Sequence, residues 1–222
     1  MQSLKGLGKI PVGLCGFENA GRFAPLCYHP DMLCFRLEEN KWIFYEGIYE
    51  KNKNIIDGLG LDVTLAPDPL SPDYPHDVGL CAAMFGRFLI CNAKHTNQKI
   101  LEYAARTQKK LIDVRQGYAK CSVCIVGENA IMTADLGIYK KALQNKVEAL
   151  LVGSGHIELA RYDYGFIGGC SGLLDAHTLA FFGDITKHPD CEKMERFCGR
   201  FGVKLISLSK EKLCDYGGII AL

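Results

Sequence analysis

Nothing in this 222-residue chain approaches the ~20 consecutive apolar residues of a membrane-spanning helix, which excludes a helical membrane anchor within it. Charge of one sign is missing too. Lys and Arg number 26 against 25 Asp and Glu, the signs are interleaved, and the net charge is +1. A duplex or membrane-surface partner normally leaves a basic patch, so neither nucleic acid nor membrane is an expected partner. There is one Trp, and the other aromatics lack the basic interleaving of a single-strand binder. The first residues, M-Q-S-L-K-G-L-G-K-I-P-V-G-L-C, lack the apolar core of a signal peptide. No linker divides the chain, so residues 1–222 are read as one domain.

Cysteine, by contrast, is plentiful. The 11 thiols are odd in number and sit mostly in apolar stretches, the pattern of reduced, buried cysteines in a cytoplasmic protein. With 48% hydrophobic and 23% charged residues the composition is that of a globular protein, long enough to bury roughly 70% of its unfolded surface.

The chain is organised around Arg161–Asp184, R-Y-D-Y-G-F-I-G-G-C-S-G-L-L-D-A-H-T-L-A-F-F-G-D, a glycine-rich run followed by two short apolar segments. Its pattern recurs in Cys121–Asp135, Cys81–Asn92 and Leu33–Glu46, each a strand, a tight turn and a second strand. Aligning the turns brings Cys34, Cys81, Ser122 and Ser171 into register, 47, 41 and 49 residues apart. A period of this length marks a repeated supersecondary unit.

Each unit reads ββαβ. Strands are expected near Met32–Leu37, Lys41–Tyr45 and Leu61–Leu65; near Gly79–Phe85, Phe88–Cys91 and Leu111–Val114; near Ser122–Val126, Ala130–Thr133 and Ala149–Val152; and near Ser171–Leu174, Thr178–Phe182 and Val203–Leu208. The intervening helices fall near Tyr49–Leu59, Asn97–Lys110 (Thr96 as N-cap), Ile138–Lys146 (Tyr139, Ala142, Leu143 and Val147 as buried face) and Pro189–Phe201. The repeats span about 31–70, 77–115, 120–153 and 168–209. Cys214–Leu222 reads as the first strand of an unfinished fifth unit, with Leu7–Leu14 as its partner, so that the ring has no open edge.

A ring of about five ββαβ units with an incomplete last one resembles the pentein-type β/α propeller of the guanidino-group modifying enzymes: arginine deiminases, amidinotransferases and dimethylarginine dimethylaminohydrolases. More closely, the chain resembles an uncharacterised bacterial family of that fold. The resemblance is carried by Y-P-H-D-V (Tyr74–Val78), Q-G-Y-A-K-C-S (Gln116–Ser122), Y-G-F-I-G-G-C-S-G (Tyr164–Gly172) and D-Y-G-G-I-I-A-L (Asp215–Leu222).

These motifs begin the first strand of successive units, and in a ring such positions face the axis. Asp77, Lys120, Cys121, Ser122, Ser171, Asp175 and Asp215 are therefore expected around one central cavity, either binding a ligand or satisfying backbone groups. Gly168-Gly169 allows close backbone approach there; it precedes a strand and not a helix, so it is no dinucleotide or Walker loop, and no cofactor is expected. Cys121-Ser122-Val123-Cys124 has no second pair at zinc spacing, so no metal is expected either.

The resemblance implies a nucleophilic cysteine near the C-terminus, yet Ala221 stands at that place after Gly217-Gly218-Ile219-Ile220. A methyl group cannot replace a thiolate. Cys170 and Cys121 are the alternative thiols, and His156, after Gly-Ser-Gly, is the candidate acid/base. Three functions follow: a binder of a guanidino- or amide-type small molecule, a divergent C–N hydrolase or amidinotransferase with a relocated cysteine, or a protein-interaction module. The absent nucleophile favours the non-catalytic two.

Overall fold

The structure, a computed structural model, describes residues 12–14, 16, 28–69 and 73–221. A helical turn, α1 (Pro30–Leu33), leads into the hairpin β1 (Cys34–Arg36) and β2 (Lys41–Tyr45). Helix α2 (Glu46–Gly58) then returns the chain, and β3 (Asp62–Ala66) pairs parallel with β2. The same order follows three more times. The second set is β4 (Ala83–Phe85), β5 (Phe88–Cys91), α3 (Gln98–Arg106) and β6 (Lys110–Asp113). The third is α4 (Ala119–Ser122), β7 (Cys124–Gly127), β8 (Ala130–Thr133), α5 (Leu136–Gln144) and β9 (Glu148–Leu151). The fourth is β10 (Ser171–Asp175), β11 (Thr178–Phe181), α6 (Cys191–Gly199) and β12 (Lys204–Ser207). Each sheet has an antiparallel hairpin whose second strand takes a parallel third strand.

Burial explains the order. The middle strands are apolar on both faces, and Ile43, Leu89, Ile90, Ile131, Leu179 and Phe181 are fully buried. The third strands are mostly exposed or half-buried, β9 and β12 alike. A strand buried on both faces needs a continuous apolar run, which is what the hairpin segments supply. The first strands turn inward: β4 adjoins β7 and β7 adjoins β10.

Residues 213–221 lie between the fourth set and the first. Tyr216 and Gly218 donate their backbone N–H groups to Gly169 O, and Ile219 donates to Ser171 O. On the other side Gly217 O accepts from Asp31 N (3.2 Å), and Ala221 O accepts from Arg36 Nη1 (2.6 Å).

Several local expectations are corrected. The starts of the first strands near Met32, Gly79 and Ser122 are helical turns or loop, and the strands begin at Cys34, Ala83 and Cys124. Asn97, not Thr96, caps α3, its side chain accepting from Lys99 N (3.0 Å). Leu143 is 47% exposed, because Ile138 and Ala142 form the buried face of α5. Cys214–Leu222 makes one isolated parallel bridge, Glu158 with Cys214, and no strand among the described residues. Its expected partner at Leu7–Leu14 lies outside the described residues except for 12–14.

Candidate functional site

The inward strands, the turns before them and residues 219–221 line an open cavity of about 260 Å³. At about 30 Å³ each, that is room for roughly eight waters. Its apolar wall includes Leu80, Met84, Ile125, Leu173 and Ile219; its polar groups are Asp31, Arg36, Lys120 and Ser171, and Ala221 closes one side.

Asp31 dominates the chemistry. It is 1% exposed, and neither carboxylate oxygen has a hydrogen-bond partner. A carboxylate without partners is costly to bury, and both Asp31 oxygens are shut off from solvent beside the cavity as well as from protein donors. Lys120 is half-buried and donates to Gly168 O at 3.5 Å. The Arg36 guanidinium lies over the Trp42 ring at 5.9 Å, with Nε donating to Glu38 O and Nη1 to Ala221 O.

Behind this wall the remaining polar residues form a buried cluster. Asp215, 2% exposed, accepts from Phe166 N (2.9 Å) and Gly217 N (3.0 Å), and His29 Nδ1 lies 3.6 Å from its Oδ1. Burial and the neighbouring Asp31 raise the Asp215 carboxyl above the ordinary carboxylate range. Asp77 accepts from the Tyr118 hydroxyl at 2.9 Å, and burial outweighs that bond to raise its pKa as well. Tyr118 belongs to a row of rings, Tyr74, Tyr118, Phe166 and Tyr164, with successive centroids 5.7, 6.2 and 6.5 Å apart. The glycine pair serves the expected close approach: a Cβ on Gly169 would stand 2.0 Å from Asp215 Oδ1, and one on Gly168 would stand 2.4 Å from Lys120 O.

The sequence-derived candidates thus divide. Lys120 and Ser171 line the cavity. Asp77, Cys121, Ser122 and Asp215 are buried and do not line it. Asp175 is exposed in the β10–β11 turn, where its Oδ1 accepts from His177 N. His156 is exposed in a separate cleft with Glu158, Lys212 and Cys214, packed edge-on against His188 at 5.3 Å. Cys121 Sγ lies 3.5 Å from Cys81 Sγ, and that contact, burial and Asp31 push its thiol up. Burial does the same to Cys170. Cys121 is helical while Cys124 begins a strand, so turn geometry, and not the alternation of a strand, separates the C-x-x-C pair. Among the described residues, no group of three or more His, Cys, Asp or Glu could hold a metal.

Sequence reasoning missed Asp31, Arg36 and His29. One signal was available: Tyr28-His29-Pro30-Asp31 carries the same four residue types as Tyr74-Pro75-His76-Asp77.

Four β-β-α-β sheets whose first strands turn inward around buried acids define the class: the protein has the pentein fold. A mutant of DDAH from Pseudomonas aeruginosa complexed with citrulline is similar at TM-score 0.52 and 10% identity, over 85% of this chain and 71% of that one. SxtG, an amidinotransferase from Microseira wollei in the saxitoxin biosynthetic pathway, gives 0.48 and 15% over 82% and 65%. Agmatine deiminase from C. jejuni gives 0.47 and 9% over 76% and 62%. The chain therefore spans less than two thirds of the latter two. Residues 14–220 match the model of a family of unknown function, DUF6873, and the chain belongs to that family. No curated protein matches the sequence. No helix among the described residues is long and apolar enough to cross a membrane.

Proposed function

We propose that the protein binds a small ligand of guanidino or amide type in the cavity at the centre of a ring that residues 213–221 complete in place of a fifth unit. The observation that carries this is Asp31, a residue of the cavity wall whose buried carboxylate has both oxygens unpartnered. A guanidinium or a protonated amine supplies the N–H donors and the charge such a carboxylate lacks.

Binding without turnover is supported by the thiols. Ala221 lines the cavity and offers no nucleophile. Cys121 and Cys170 are buried with raised pKa values, the opposite of an activated thiolate. The tyrosine row is the feature that would suit a protein partner, but the acids beside it are already engaged, Asp77 by Tyr118 and Asp215 by Phe166 and Gly217.

A thermal-shift screen against arginine, agmatine, methylated arginines, citrulline and related amides tests the reading. At 100 times its dissociation constant a ligand stabilises by about 2.7 kcal/mol. Asp31→Asn should abolish the shift, and no ammonia, methylamine or ornithine should be released. Turnover lost in Cys121→Ala or Cys170→Ala would instead establish a relocated nucleophile.

A further inference from the structure

Of the nine described cysteines, all of them free, Cys81 and Cys121 make the one thiol–thiol contact among the described residues, with Sγ atoms 3.5 Å apart. The contact joins two units. Cys81 lies in the loop before β4 and Cys121 in the helical turn α4 before β7, so neither is fixed by a sheet ladder. An S–S bond needs about 2.05 Å, and a loop and a single helical turn can share the closure of about 1.5 Å between them.

The surroundings favour a disulfide over any charged product. Cys81 and Cys121 are 1% and 2% exposed and pack with Met32 and Val78 against Tyr118 and Phe166. A disulfide is uncharged and stays at little cost in such a setting, whereas a thiolate or a sulfinate is costly to bury. The same burial selects the oxidant. A disulfide the size of glutathione disulfide reaches neither sulfur unless the fold opens, but hydrogen peroxide is little larger than water. The cavity is one residue away on both segments, since Leu80, Ala82 and Lys120, the chain neighbours of the two cysteines, line it.

We propose that Cys81 and Cys121 are an oxidative modification site, a dithiol that a small hydroperoxide such as hydrogen peroxide converts to an intramolecular disulfide and a thiol reductant restores. One sulfur attacks a peroxide oxygen, the O–O bond breaks, and a sulfenic acid and one water result. The other sulfur attacks the sulfenic sulfur, the S–S bond forms and a second water leaves, so two electrons pass from the thiols to the peroxide. The Cys81 contact and burial push the Cys121 thiol up, which makes the first step slow and tunes the site to sustained exposure. Once that step has occurred, the partner sulfur is already adjacent and intercepts the sulfenic acid before further oxidation. The crosslink ties together the two segments that carry Leu80, Ala82 and Lys120, and so fixes one side of the cavity wall.

The test uses the reduced, folded full chain without ligand, so its outcome is independent of the binding reading. After hydrogen peroxide, remaining thiols are alkylated in denaturant and the peptides are mapped by mass spectrometry. A linked Cys81–Cys121 peptide should appear, lighter by two hydrogens than the reduced pair, and dithiothreitol should abolish it. In whichever of Cys81→Ala and Cys121→Ala keeps the attacked sulfur, dimedone labelling of the stranded sulfenic acid should rise about tenfold over the parent. Oxidation of the half-buried Cys191 and Cys214 with Cys81 and Cys121 still reduced overturns the proposal. So does a link that forms only in urea. An equal yield with glutathione disulfide overturns the choice of a small hydroperoxide. The peptide map of the parent decides the matter even where a variant fails to fold.

Discussion

Asp31 and Asp77 precede the first strands of successive units in nearly the same four-residue setting, yet the fold treats them in opposite ways. Asp77 receives the Tyr118 hydroxyl, as Asp215 receives the N–H groups of Phe166 and Gly217. The Asp31 carboxylate receives nothing, although its residue belongs to the cavity wall. Engaged acids hold loops from different units together, whereas an acid left open costs stability and is available for a ligand. The repeat thus supplies one kind of residue to two tasks, and only the neighbours distinguish them.

The largest effect should come from breaking an engaged acid. Asp215→Ala leaves the N–H groups of Phe166 and Gly217 without their acceptor, and should lower the unfolding free energy by about 3 kcal/mol in urea titrations. A loss below about 1 kcal/mol would show that these bonds do not hold the axial cluster. Gly169→Ala drives a methyl group into the same carboxylate and should cost about 2 kcal/mol, by overpacking and without loss of any hydrogen-bonding atom.

The open acid should behave in the other direction. Asp31→Asn removes a charge with no partner to lose, so stability should hold or rise by about 1 kcal/mol while ligand binding disappears. Destabilisation comparable to that of Asp215→Ala would mean Asp31 is structural, and the contrast between the acids would collapse.

The smallest effect is in pH dependence. Asp77 and Asp215 have folded pKa values above the ordinary 3.8, so the folded state holds their protons more tightly than the unfolded chain. Their contribution is complete below pH 3.8 and is lost as pH rises through the raised folded values. Urea midpoints of Asp77→Asn should therefore fall less steeply than the parent's above about pH 4. Parallel profiles would show that Asp77 titrates alike in both states.

Much of this was legible in the chain. The hairpin strands Lys41–Tyr45, Phe88–Cys91 and Ala130–Thr133 were read at their observed limits, because apolar runs bounded by turn residues are local signals. Gly168-Gly169 was read as a close-approach site, and both glycines meet backbone or side chain where a Cβ would stand. Lys120 and Ser171, expected near the axis from the repeat, are among the residues that line the cavity. Asp175 was grouped with them for its type and position near the strand, but strand β10 carries it to the far, solvent-facing turn. Leu143 failed for a related reason: helical periodicity gives an apolar stripe, and the neighbouring sheet decides how wide a stripe is covered.

By itself the sequence determined the repeated unit, the order of strands and helices, the buried middle strands and the glycine pair, since each depends on residues within a few positions of one another. Tertiary structure alone decided which acids are satisfied. Tyr118 reaches Asp77 across 41 residues, Phe166 reaches Asp215 across 49, and Arg36 reaches Ala221 across 185. A hydrogen bond is a matter of a few tenths of an ångström between groups that far apart in the chain, and no local pattern encodes that distance. The open carboxylate of Asp31 is therefore visible only after the chain has closed around it.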